Sequence, residues 1–257
     1  MCTVSWIHQG SGYQLLCNRD ERRTRRPASA PQLLTRNNVR FVAPIDGDFG
    51  GTWVAVNEFG LSLVLLNRAP SSAAKLSRGL LPMNLIPAQT LTELGDNISM
   101  TDLSPFAPFT LAAFEPGLPA SIFDWNGRNL TVVSNAGHHM PLVSSTFDPQ
   151  RVELERRAEL LRLRHLSGCF GAGTLFAFHT SHQPERGPYS PCMHRGDAET
   201  VSFTWVTVTA AEASLYYAPG APCCSLAGES RTLPLRKEPS AALNNGTISA
   251  CRSLTHR

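Results

Sequence analysis

The 257-residue sequence contains no uninterrupted apolar run approaching the ~18 residues of a membrane-crossing helix, so no integral membrane segment is expected. Its cysteines, at positions 2, 17, 169, 192, 223, 224 and 251, include no CxxC pair. Their count is odd and Cys223 adjoins Cys224, which suggests neither a disulfide framework nor a zinc site. The opening MCTVSWIHQG lacks a basic segment followed by an apolar stretch, so no secretory signal is expected, and these absences fit a reducing cytoplasm. Charged residues make up only 17%, but 42% are hydrophobic, a globular composition rather than a disordered one. The net charge of +3 comes mainly from Arg19, Arg22, Arg23, Arg25 and Arg26, just before Pro27. No aromatic interleaves with these arginines to stack on bases, so no nucleic-acid partner is expected and the run reads as a solvated loop with some carboxylate partners.

Hydrophobic patterning predicts many short strands. Cys2 to Ile7 and Tyr13 to Cys17, separated by Gly10-Ser11-Gly12, read as a hairpin. A weak strand follows around Val39 to Ala43, then the acidic turn Asp46-Gly47-Asp48-Phe49-Gly50-Gly51. Thr52 to Val56 and Leu61 to Leu66 form a second hairpin through Asn57-Glu58-Phe59-Gly60. Phe109 to Phe114, Ser121 to Trp125 and Leu130 to Ser134 make a meander, and Thr174 to His179, Val201 to Val208 and Ser214 to Tyr217 complete the strands. Asp148 to His165 reads as an amphipathic surface helix with Asp148 as N-cap and Pro149 in the first helical position, and Leu76 to Leu94 as a helical region broken by Pro82 and Pro87. Hairpin-linked strands with helices in separate blocks argue for an α+β layered domain rather than a parallel sheet. The length suits one domain over residues 1–227, with 228–257 a peripheral or partly disordered tail.

Cys2 offers self-contained chemistry. Its small side chain permits removal of Met1, leaving one residue with a thiol nucleophile and a free α-amino group. With an unperturbed pKa of ~8, that amino group can take the thiol proton near neutrality. The other reading is a cysteine that merely begins a strand. The returning hairpin strand favours the first, because it brings Arg19 and Asp20 beside Cys2, where a guanidinium favours thiolate and a carboxylate can orient the ammonium.

Cys2, Asn18-Arg19-Asp20-Glu21, Gly50-Gly51-Thr52-Trp53, Asn57-Glu58-Phe59-Gly60-Leu61, Ser77-Arg78-Gly79 and Ser134-Asn135-Ala136 follow in an order and spacing that resemble the NRDE family of the transport and Golgi organisation protein 2. More distantly the chain resembles choloylglycine hydrolases, among them bile salt hydrolases and penicillin V acylases. This resemblance implies an N-terminal nucleophile hydrolase fold, an αββα layered sandwich of mainly antiparallel sheets. It further implies Cys2 as nucleophile, Arg19 and Asp20 as its support, Asn67 as oxyanion donor, Asn135 as a second active-site Asn and Arg195 as a late catalytic Arg. Here Arg19 and Asp20 are adjacent, whereas the hydrolases separate these residues by two.

Two functions follow. One is a Cys-dependent amidohydrolase acting on a non-peptide C–N (amide) bond, needing no cofactor. The other, resting on proposals for the family, is a non-catalytic carrier of haem or a lipid-like acyl ligand in the same pocket. In either case the partner is a small molecule. His138, His139 and His194, lacking carboxylates at helical spacing, make a poor zinc site, so no metal is expected; they could instead face haem. Loops 69–85 and 184–191 are the expected pocket walls.

Overall fold

The computed structural model describes residues 2–68 and 75–236. The first two strands form the expected hairpin, β1 (Cys2–Gln9) and β2 (Gly12–Arg22), turning at Gly10 with a φ of 59° that glycine adopts without a Cβ clash. Next come β3 (Ser29–Arg36), β4 (Val39–Ile45), β5 (Val54–Asn57) and β6 (Ser62–Asn67). At the β5–β6 turn, Gly60 has a φ of 80°, and Asn57 Oδ1 accepts from the backbone N–H groups of Phe59 and Leu61 at 2.9 and 3.0 Å. Two short helices, α1 (Leu80–Leu85) and α2 (Leu91–Ser99), lead into the meander β7 (Phe109–Phe114), β8 (Ser121–Trp125) and β9 (Leu130–Val133). Pro82 sits in the first turn of α1, where its missing N–H would have no helical partner. Pro87 falls between the two helices.

After the short β10 (Leu142–Ser144) come α3 (Pro149–Leu166), α4 (Ala172–Thr180), β11 (Ala198–Val208), β12 (Glu212–Pro219) and β13 (Glu229–Pro234). Asp148 caps α3 by accepting from Arg151 N–H at 3.4 Å. Of its face, Val152, Arg156, Glu159 and Leu160 are buried while Leu154 and Leu161 are exposed, so the expected surface helix docks through two charged residues. The segment expected as a strand at Thr174 to His179 is helix α4 instead. Its β-prone residues bury Thr174, Leu175, Phe178 and His179, spaced for one helical face, and this tertiary packing overrides local propensity. Part of the expected tail, residues 229–234, pairs along β12 and buries Leu233. The remainder, 237–257, lies outside the described residues.

The strands assemble into a six-stranded sheet, β10-β1-β2-β11-β12-β13, and a seven-stranded sheet, β3-β4-β5-β6-β7-β8-β9, with antiparallel neighbours throughout. Between the sheets, Val4, Trp6, Tyr13 and Leu15 pack on Val54, Val56, Val64 and Phe114. The buried Tyr13 hydroxyl joins the sheets, donating to the Gly60 carbonyl at 2.7 Å beside Ser62 Oγ at 2.6 Å. A second core lies between the seven-stranded sheet and α1–α2, around Leu81, Leu85, Leu94 and Ile98. A third joins the six-stranded sheet to α3–α4, around Leu16, Leu160, Leu175, Phe178 and Phe203. The result is a four-layered α–β–β–α sandwich. Among the described residues no helix is long and apolar enough to cross a membrane.

Candidate active site

Strand β1 lies between β10 and β2, with Cys2 opposite both Ser144 and Arg19. Side chains alternate along a strand, so Cys2, Val4 and Trp6 share the inter-sheet face with Tyr13, Leu15, Cys17 and Arg19 of β2. Hydrophobic side chains fill this space toward Tyr13. Near Cys2 it opens into a cavity of about 420 Å³, whose lining includes Cys2, Arg19, Trp53, Asn67 and Arg78.

Cys2 is only 4% exposed, yet its thiol is more acidic than usual. The main cause is a hydrogen bond from the Cys17 thiol, opposed by burial and by the Asp20 charge and assisted by the N-terminal ammonium and, last, by Arg19. Cys17 shifts the opposite way, well above the ordinary thiol range, through that same bond and burial. Of the two, Cys2 is therefore the sulfur poised to ionise. Its backbone N–H donates to Ser144 Oγ at 3.0 Å, which places the atom that would become the α-amino nitrogen.

Arg19 is held on three sides. Its guanidinium lies over the Trp53 ring at 4.3 Å, pairs with Asp46 and reaches Glu21 at 3.8 Å. Arg25 also pairs with Asp46, at 2.7 Å. Burial pushes the Asp46 carboxyl up, but Arg19, Arg25 and the Phe49 N–H outweigh it and hold that carboxyl below its usual range. The arginine run expected as a solvated loop is thus divided: Arg22, Arg23 and Arg26 are exposed, whereas Arg19 and Arg25 converge on the cavity.

The opposite wall comes from residues 75–79. Gly51 and Gly79 approach so closely that a Cβ on Gly51 would come within 2.4 Å of the Gly79 carbonyl carbon, and Thr52 N–H donates to the Gly79 carbonyl at 2.9 Å. This contact carries Lys75 and Arg78 to the rim. Arg78 donates to the carbonyls of Arg68 and Pro108, and burial lowers its pKa from the ordinary value. The lining includes four cations, Arg19, Arg25, Lys75 and Arg78, against two carboxylates, Glu21 and Asp46.

Of the six residues singled out from sequence, Cys2, Arg19 and Asn67 line this cavity. Asp20 follows Arg19 in β2 and points the other way, beneath α3, where it accepts from Arg156 at 3.0 Å and from Thr200 Oγ1 at 2.7 Å. Arg156 also donates to Thr3 Oγ1, on the same outer face. Asn135 is exposed at a φ of 57°, leading into a turn of 3-10 helix at Ala136–His139, and is not among the lining residues. Arg195 pairs with Asp197 at 2.7 Å and lies 4.7 Å over the Phe147 ring, also away from the lining.

Residues 1–157 match the family model described as Transport and Golgi organisation 2. The chain belongs to that family. Among solved structures it is similar to penicillin V acylase from Agrobacterium tumefaciens, at 13% identity and a TM-score of 0.53, covering 91% of this chain and 86% of that one. It is also similar to the Caenorhabditis elegans ortholog of N-acylethanolamine-hydrolyzing acid amidase, at 14% identity and a TM-score of 0.55, covering 91% and 100%. At such identities the likeness shows the fold, the layered sandwich of the N-terminal nucleophile hydrolases. No curated protein matches the chain in sequence.

In this Transport and Golgi organisation 2 family member, the sequence reading missed Ser144, Asp46, Arg78 and Arg156 as site or supporting residues. Trp53, Arg78 and the acidic turn holding Asp46 stood inside quoted motifs or turns, but only the tertiary fold shows that they surround Arg19 and the cavity. Ser144 and Arg156 carried no local signal, since each meets β1–β2 from more than 130 residues away: |i−j| is 142 for Cys2–Ser144 and 136 for Asp20–Arg156.

Proposed function

We propose that the chain is an N-terminal cysteine amidohydrolase acting on a small amide that carries an anionic group. The observation that carries this reading is the acidified Cys2 thiol, buried at the edge of a cavity it shares with Arg19 and Asn67. After loss of Met1, the Cys2 thiol passes its proton to its own α-amino group and the sulfur attacks the amide carbonyl carbon. The carbonyl oxygen becomes an oxyanion that takes a hydrogen bond from the Asn67 side-chain amide, an interaction typically worth about 3 kcal/mol in the transition state. The C–N bond breaks as the ammonium returns the proton to the leaving amine. Water then cleaves the thioester, giving the carboxylic acid and restoring the thiol.

The cavity volume falls within the ~300–1,000 Å³ usual for small-molecule pockets. Its excess of cations over carboxylates favours a substrate with a carboxylate, phosphate or sulfonate beyond the scissile bond. A carrier of haem or an acyl ligand would use the same cavity, with Cys2 as a sulfur ligand and no turnover.

The deciding experiment measures binding and turnover of N-acyl amides with and without an anionic group, alongside haem binding, in the wild type, Cys2→Ala and Asn67→Ala. Hydrolysis falling by orders of magnitude in both variants with affinity nearly unchanged is the expected result. Turnover that survives Cys2→Ala intact, or tight binding without turnover of any amide, overturns it. Intact-mass analysis of the same protein should show Met1 removed.

A further inference from the structure

On the side of the six-stranded sheet away from that cavity's lining residues, two loops bring together four side chains, three from the α4–β11 connection and one from the β12–β13 connection. His182 follows α4, Cys192 and His194 precede β11, and Cys223 follows β12. One potential ligand atom from each lies within 4.8 Å of all the others. His194 Nε2 is 3.6 Å from Cys192 Sγ and 3.3 Å from Cys223 Sγ. Zinc bonds of ~2.3 Å to sulfur and ~2.05 Å to nitrogen at tetrahedral angles set nitrogen–sulfur edges of about 3.5 Å, so both distances match such a polyhedron. His182 Nε2 is buried with no hydrogen-bond partner, although its ring centroid is 5.2 Å from that of His194. Two thiols and two imidazoles gathered this closely, with one buried imidazole nitrogen left unpartnered, are the arrangement that a shared cation satisfies.

We propose that His182, Cys192, His194 and Cys223 form a structural zinc site. Two thiolates and two imidazoles are a zinc donor set, and four protein ligands leave no open position for catalysis. Binding replaces two S–H bonds with two Zn–S bonds and releases two protons, so the thiolates cancel the dication and the half-buried cluster stays neutral. Arg186 lies 3.5 Å from His194 Nδ1, at the edge of the cluster.

The site clamps a loop on which β2 depends. Cys192 N–H donates to the Ser181 carbonyl at 3.0 Å, and Met193 N–H donates to Thr200 Oγ1 at 2.9 Å. That hydroxyl in turn donates to Asp20, the residue after Arg19. Fixing 182–194 against the turn at 223 therefore steadies the end of β2 behind the cavity. The ligand spacings of ten, two and 29 residues match no short zinc motif, which is why the sequence suggested no metal.

The test uses the full chain purified without chelators or added metal and analysed by inductively coupled plasma mass spectrometry. One zinc per chain is expected, falling at least tenfold in Cys192→Ser and in Cys223→Ser but retained in Cys2→Ala. Because those variants can lose structure, the wild type is also stripped under reducing conditions and titrated with Co²⁺. Visible d–d bands and sulfur-to-cobalt charge transfer at one equivalent, displaced by Zn²⁺, are expected. Absence of both zinc and a cobalt spectrum overturns the proposal, as does zinc retained in both cysteine variants, iron in place of zinc, or a Cys192–Cys223 disulfide that persists in a reducing preparation.

Discussion

Cys2 and Cys17 face the same inter-sheet space, but what each bonds to sets their thiols apart. Cys17 donates to Cys2 and is held protonated, whereas Cys2 accepts and is eased toward thiolate beside Arg19. Iodoacetamide at pH 7 should therefore modify Cys2 much faster than Cys17, read by peptide mass spectrometry, and Arg19→Ala should slow the reaction. Equal rates for the two would contradict an activated Cys2. Asp46 allows a second test at this scale, since its folded-state pKa is depressed by two guanidinium groups. A depressed carboxylate contributes stability that is present above the unfolded pKa and lost as pH falls through the folded one. Asp46→Asn, which leaves the mostly buried Arg19 without its main partner, should cost on the order of 3 kcal/mol at pH 7. In urea melts the gap from wild type should close as the solution is made acidic through the carboxylate range.

Helix α3 reverses the usual value of its residues. Leu154 and Leu161 face solvent at 65% and 59% exposure, while Arg156 is 2% exposed and anchors the helix on Asp20 and Thr3. Removing one partner of a buried pair strands the other, so Arg156→Ala should lower unfolding stability by about 3–5 kcal/mol. Leu154→Ser should stay within about 0.5 kcal/mol. Chemical denaturation of the two variants checks this order, which inverts what hydrophobicity alone implies. The same helix shows where sequence reasoning stops. Its N-cap at Asp148 and Pro149 was legible because capping is local, but nothing within α3 distinguishes Arg156 from its exposed neighbours Arg151 and Arg164. Helix α4 was misread for a related reason: its run of Thr, Leu and Phe suits a strand until it is packed beside α3 on the sheet. The turn and pairing of β1 and β2 were legible, because Gly10 and the paired apolar runs lie within twenty residues of one another, but β2 runs on to Arg22, past its expected end at Cys17, because β11 pairs along that charged stretch.

At the scale of the whole molecule, the four layers place each part of the site on a different support. Cys2 and Arg19 belong to the six-stranded sheet, Asn67 to the end of β6 in the other, and Arg78 to the loop before α1. The returning hairpin pointed to the first two and the family resemblance alone to Asn67, and all three line the cavity. The Asp20 orientation, the Ser144 contact and the His–Cys cluster arise from strand order and loop packing, which no local pattern encodes. The cavity's unequal charge has a further, kinetic consequence. Four cations against two carboxylates at a concave mouth focus an attractive field on approaching anions, and the Debye length shortens from about 30 Å at 0.01 M salt to about 10 Å at 0.1 M. Stopped-flow association of an anionic ligand should slow severalfold over that range while an uncharged analogue keeps its rate, and Lys75→Ala should flatten the salt dependence. In this protein, ionic strength would act as a selector among ligands before any of them reaches the thiol.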